Sequence, residues 1–87
     1  MKSSTTAEFW TRYRLLPDEV RVAARRTYRL WSQNPRAPAL RFKKVRDVYA
    51  VRIGTTGYRA LASTEPDGFL WFWIGPHDEY LRLLGSD

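Results

Sequence analysis

The chain has no cysteine, a single methionine and a single histidine in 87 residues. Without cysteine there is no disulfide framework, no thiolate metal site and no cysteine nucleophile, which fits a reducing cytoplasm. One histidine, His77, with only Asp78 and Glu79 beside it, does not make a metal site, so no metal and no small-molecule cofactor are expected. Glycine and proline number 5 each and no low-complexity tract occurs, which excludes a flexible or fibrous chain. The longest apolar run, residues 69–74, is far too short to span a bilayer, and the opening Met1-Lys2-Ser3-Ser4-Thr5-Thr6 has no apolar stretch of a secretory leader. A soluble, cytoplasmic protein with no membrane partner is expected.

What is present is a compact apolar inventory and an uneven charge. Hydrophobic residues make up 44% and aromatics 15%, enough for one small core, so residues 1–87 are read as a single domain. Fifteen Lys and Arg oppose 9 Asp and Glu, a net charge of +6, and twelve of the fifteen cations are Arg. The basicity is regional: residues 1–46 carry +9 and the remainder −3. Arg presents a planar fork that matches phosphate, so an Arg-rich basic region points to a nucleic-acid partner, or to a strongly acidic protein.

Hydrophobic spacing divides the chain. Phe9, Tyr13 and Leu16 fall on one helical face behind Ser and Thr residues suited to capping, predicting a helix over about 7–15. Residues 2–6 ahead of it are compatible with a strand. Pro17-Asp18-Glu19 starts a second helix to about residue 33, with Val20, Ala23, Ala24, Thr27, Leu30 and Trp31 on its apolar face, and Asn34-Pro35 stops it. The short corner predicts a helical hairpin. The period then changes to two: strands are expected at Leu40 to Lys43, with Arg41 and Lys43 facing outward, at 49–53, at 58–62 after the Gly54-Thr55-Thr56-Gly57 turn, and at 69–74 after Pro66-Asp67-Gly68. The last strand has no polar face and belongs inside a sheet covered on both sides. A short helix follows Gly75-Pro76. The fold class is α+β, a helical hairpin packed on a small antiparallel sheet, in the order βααβββα.

Three basic or titratable groupings stand out. Arg21, Arg25 and Arg29 repeat every four residues with few acidic partners, either a solvated helix face or an interaction surface. Arg41, Lys43, Lys44 and Arg46, then Arg52 and Arg59, lie on or beside consecutive strands. If Arg52 and Arg59 share a face they form a cationic floor for phosphates; otherwise they keep an exposed sheet face soluble. His77 is the only side chain of a type that titrates near neutrality, so general acid–base work would fall to it; a lone His at a helix start is more often a surface residue. Tyr80 shares its helix face.

These residues carry a resemblance. Asp47 to Leu61, with Tyr49-Ala50-Val51-Arg52 followed by a turn and Tyr58-Arg59, resembles the central hairpin of the RelE/ParE superfamily of bacterial toxins. Phe72 to Tyr80 is similar to that family's last strand and short helix with His and Tyr, and the helical hairpin, Asn34-Pro35 and Leu40 to Val45 are similar in the same order. The resemblance covers nearly the whole chain. It implies a RelE/ParE-like fold and the toxin of a type II toxin–antitoxin pair, neutralised by a small acidic antitoxin. RelE-like members cut mRNA in the ribosomal A site by attack of the 2′-hydroxyl on the adjacent phosphate, with no metal required. On that basis Arg59 and Arg52 are the expected phosphate-stabilising residues, and His77 and Tyr80 the proton-transfer and stacking residues. Lys43, Lys44, Arg41 and Arg46 are expected to hold RNA, and Arg21, Arg25 and Arg29 the antitoxin. Ala50 stands where some members have a Lys, which leaves His77 as the general base. The ParE branch shares the fold, inhibits DNA gyrase and lacks the nuclease residues, and a non-toxic basic binding module is the third reading.

Overall fold

The computed structural model of the protein describes residues 2–85. A strand, β1 (Lys2–Thr5), leads into helices α1 (Ala7–Arg14) and α2 (Asp18–Gln33), a 3₁₀ turn (Pro38–Leu40), strands β2 (Lys43–Val45), β3 (Val48–Ile53), β4 (Tyr58–Glu65) and β5 (Gly68–Pro76), and helix α3 (His77–Leu83). This is the expected α+β architecture. Thr6 caps α1 by accepting a hydrogen bond from the Phe9 amide, and α2 begins directly after Pro17 with Asp18 and Glu19 in its first turn.

Strands β2 to β5 form an antiparallel meander, and β1 adds to β5 in parallel, giving the order β1-β5-β4-β3-β2. The sheet is therefore mixed, with one strand more after the hairpin than the expected order counts. Gly68 is what admits β1: a Cβ there would collide with the Lys2 carbonyl oxygen. Its role is close approach of two backbones.

The expected strand over Leu40 to Lys43 does not form. Leu40 ends the 3₁₀ turn and is fully buried, and Arg41 adopts a left-handed conformation with φ 47°. Pro38 favours the tight turn, and driving Leu40 into the core outweighs the alternating pattern of its neighbours.

Two clusters fill the two faces of the sheet. On one face α1 and α2 cover Val51, Ile53, Ala60, Ala62, Trp71 and Ile74. Trp31 of α2 meets Phe42, Phe69 and Trp71 edge-to-face at centroid distances of 5.2–5.8 Å. On the other face α3 covers Ala50, Leu61 and Trp73 with Tyr80. Trp71 and Trp73, two residues apart, serve opposite clusters because the pairing slips between Leu61 and Ala62, leaving Phe72 as an extra residue on β5. A bulge, and not simple alternation, thus gives β5 its two apolar faces.

The helical hairpin closes only at its corner. There the Arg21 guanidinium donates to the carbonyls of Arg14 (3.2 Å) and Leu16 (2.9 Å) and pairs with Asp18, and Arg25 donates to the Tyr13 hydroxyl at 2.8 Å. Beyond the corner the two helices leave a half-open groove of about 640 Å³, floored by Val51, Ile53, Ala60 and Ile74 and rimmed by Trp10 and Tyr28.

Candidate nucleic-acid interface and active site

The Gly54-Thr55-Thr56-Gly57 turn sets the site. Both glycines take positive φ, 53° and 84°, and the turn length they fix places Arg52 directly opposite Arg59 across β3 and β4. Directly paired residues project from one face, and Ala50 and Leu61, two residues away on the same face of each strand, show that it is the face covered by α3. Two cations facing each other across an antiparallel pair repel. The arrangement costs stability and is relieved when an anion sits between them.

Each guanidinium is held in place. Arg52 Nε donates to the Gly54 carbonyl at 3.0 Å, and Arg59 Nη1 donates to its neighbour's carbonyl at Tyr58, 3.1 Å. The Arg59 guanidinium carbon lies 6.0 Å from the centre of the Tyr80 ring, and His77 stacks on that ring at 5.5 Å with planes 24° apart. Burial pulls the Arg59 guanidinium below its ordinary value; Tyr80 opposes the shift, and the positive charges of Arg52 and Arg41 reinforce it. Arginine nevertheless stays charged at neutral pH. The α3 helix is pinned at its start, where the His77 amide donates to the Gly57 carbonyl at 2.9 Å. The same turn therefore registers the two arginines and anchors the start of α3, where His77 stacks on the Tyr80 ring.

The four residues expected to carry chemistry, Arg52, Arg59, His77 and Tyr80, stand together. Arg41, held in its left-handed conformation, is near enough for its charge to act on Arg59. Lys43 and Lys44 are exposed on the edge strand β2, paired with Ala50 and Tyr49, so only Lys43 shares the face of the arginines. Arg46 is not gathered into the site: in the β2–β3 turn, with φ 57°, it donates to the Gly85 carbonyl at 2.9 Å and ties down the chain after α3. Of the helical stripe, Arg21 closes the hairpin corner, while Arg25 and Arg29 line the groove between the helices.

Residues that the sequence did not single out complete the region. Gly75 lies opposite Arg59 on β5, and a Cβ there would come within 2.5 Å of the Trp73 indole, which folds back over it. Arg12 of α1 reaches past the end of β1 to lie over that indole, 5.9 Å from its centre, and to pair with Glu79 of α3 at 3.4 Å. A helical Arg far from the strands carries no local signal of this reach. Among the described residues there is no group of three or more His, Cys, Asp or Glu side chains placed to hold a metal ion, and no helix is long and apolar enough to cross a membrane.

No protein-family model and no curated protein matches the sequence. Solved structures do match in shape. A chain of the RelB–RelE antitoxin–toxin complex from Methanococcus jannaschii superposes with a TM-score of 0.67 at 14% identity, covering 92% of this chain and 96% of that one. The isolated E. coli RelE toxin gives 0.64 at 16% identity over 97% and 95% of the two chains, and a chain of the intact E. coli RelBE toxin–antitoxin complex gives 0.63 at 17% over 85% and 93%. With α1 and α2 on one face of its five-stranded sheet and α3 on the other, the chain has the fold of the RelE toxins.

Proposed function

We propose that this protein is the toxin of a type II toxin–antitoxin system, a ribosome-dependent endonuclease that cuts mRNA in the cytoplasm and arrests translation. One observation carries the reading: Arg59, paired across the hairpin with Arg52, lies against the ring of Tyr80, on which His77 stacks. A cationic floor with a proton-transfer group above it fits phosphodiester cleavage.

In this mechanism the scissile phosphate settles between Arg52 and Arg59, whose mutual repulsion it relieves. His77 takes the proton of the neighbouring 2′-hydroxyl, the O2′–P bond forms and the P–O5′ bond breaks, and the imidazolium returns the proton to the departing 5′-oxygen. The products are a 2′,3′-cyclic phosphate and a 5′-hydroxyl. Charge that grows on the phosphoryl oxygens meets guanidinium groups already fixed by backbone carbonyls, so little reorganisation is needed at the moment of reaction. Tyr80 is buried, with Arg59 and His77 on its ring, so it holds that guanidinium flat and is not free to stack on a base. Arg41 and Lys43 extend the positive field along the same face, and Lys44 and Arg46 hold the RNA or ribosomal backbone farther out.

The partner is an acidic antitoxin. Arg25 and Arg29 beside the apolar groove offer both charge and hydrophobic surface to it, while Arg21 supports the hairpin that shapes the groove. The RelB–RelE and RelBE complexes are the precedent for such a pairing.

Induced expression in a bacterial host, with mapping of mRNA 5′ ends, tests the reading. New ends inside reading frames that vanish in His77→Ala and Arg59→Ala are expected. Growth arrest without new ends, persisting in His77→Ala, would transfer the protein to the gyrase-inhibiting branch, and growth without arrest would leave a basic binding domain.

A further inference from the structure

We propose that Arg12 is a positioning residue for this site: from α1 it holds α3, and with it His77 and Tyr80, in place over Arg59. The inference rests on the nuclease reading above and names a control of the same site.

The geometry sets Arg12 apart from the other helical arginines. β1 pairs with β5 only from Gly68 to Trp71, so the stretch of β5 from Phe72 to Pro76 has no strand partner on its outer side. Arg12 is at that open edge, lining a crevice with Gly75, Pro76 and Glu79. Its guanidinium lies over the Trp73 indole and donates to Glu8 on its own helix and Glu79 on α3, both at 3.4 Å. Its Nε is buried without a partner. The residue thus accepts a lost hydrogen bond in order to keep its fork on Glu79 and its plane on Trp73.

Glu79 is placed to transmit this. It sits between His77 and Tyr80 on α3, a helix of seven residues anchored at its start by the His77 amide and buried only through Tyr80. So short a helix does not hold its orientation by its own hydrogen bonds. The bond at Gly57 fixes where α3 begins, Arg46 on the Gly85 carbonyl ties down the chain beyond its end, and Arg12–Glu79 restrains the turn between them that carries His77 and Tyr80. Trp73 completes the strut, because its indole, folded over Gly75, touches the cluster that contains Tyr80. A half-exposed ion pair contributes little to global stability. Its loss is therefore expected to appear in the rate, since a displacement near 1 Å at a reacting group costs up to about 100-fold.

The test uses the full chain with ribosomes programmed with a defined mRNA. Arg12→Gln, Glu79→Gln, the double variant and Glu8→Gln are compared by single-turnover cleavage over a range of toxin concentration, by thermal midpoint and by amide hydrogen exchange across residues 77–83. Arg12→Gln and Glu79→Gln are each expected to slow cleavage about 10-fold or more at saturation, with half-saturation and midpoint nearly unchanged and faster exchange in α3. The double variant should be no slower than the worse single, because both remove one interaction. Glu8→Gln should stay within about twofold, because its exposed pair with Arg12 lies within α1 and leaves the Arg12–Glu79 bond in place. Rates of both single variants within twofold of the wild type, effects that multiply in the double variant, or α3 exchange that does not change would overturn the proposal. If the wild type cuts no mRNA, the nuclease reading fails instead, and the exchange measurement alone decides whether Arg12 orients α3.

Discussion

On the face carrying α1 and α2, the sheet buries six side chains under a lattice of edge-to-face aromatic rings centred on Trp31. On the face carrying α3, it buries three under one tyrosine and sets two arginines against each other across paired strands. The first face makes the fold stable. The second spends some of that stability on like charges and on Arg41 in a left-handed conformation. The lesson is a division of labour through one sheet: interior packing on one side lets the other hold groups that would prefer to separate.

The comparison predicts opposite responses to mutation. The largest effect is expected from Trp31→Ala, which empties the centre of the aromatic lattice and should lower unfolding free energy by about 3–5 kcal/mol. Urea unfolding would show it as a fall in midpoint at constant slope. A loss below about 1 kcal/mol would mean that the helix-covered face is not the stabilising one.

Next in size is Arg59→Ala. Removal of one preorganised cation should slow cleavage of ribosome-bound mRNA by about 10²–10³-fold, equivalent to roughly 2.7–4 kcal/mol in the barrier. Its unfolding midpoint should hold or rise slightly, because the repulsion from Arg52 disappears. If Arg59→Ala instead unfolds as easily as Trp31→Ala, the two faces do not divide the work.

The smallest effect carries the sharpest contrast. Arg41→Gly relieves a left-handed backbone that disfavours any side chain and should stabilise the protein by about 0.5–1 kcal/mol. The same change removes a positive charge near Arg59 and should weaken cleavage several-fold. A rise in thermal midpoint together with a fall in cleavage would show that this turn trades stability for charge; a fall in both would show that Arg41 is structural.

Much of this site was legible because its main device is local. Tyr-x-x-Arg, a four-residue turn with Gly at both ends, and Tyr-Arg mark the hairpin locally; the period alone leaves open whether Arg52 and Arg59 share a face, and the folded register decides it. Thr6 before α1 and Pro17-Asp18-Glu19 at the start of α2 are equally local signals, and both helices begin where these predict. The region from Leu40 to Lys43 shows the limit. Its alternation reads as a strand, yet Pro38 and the buried Leu40 form a 3₁₀ turn and the strand starts only at Lys43. Arg21 shows another: a regular arginine stripe reads as a free face, but the backbone carbonyls left at the end of α1 take the guanidinium first.

By itself, then, the sequence determined the fold class, the helix starts and the central hairpin. Each of these depends on spacing along the chain or on contacts a few residues apart. Only the tertiary structure decided that β1 joins in parallel beside Gly68, that a bulge at Phe72 sends two tryptophans to opposite faces, and that α3 brings His77 and Tyr80 down onto Arg59. It alone carried Arg12 across 67 positions of sequence to Glu79. Such contacts depend on how elements pack once the backbone has closed, and that information is distributed over the whole core.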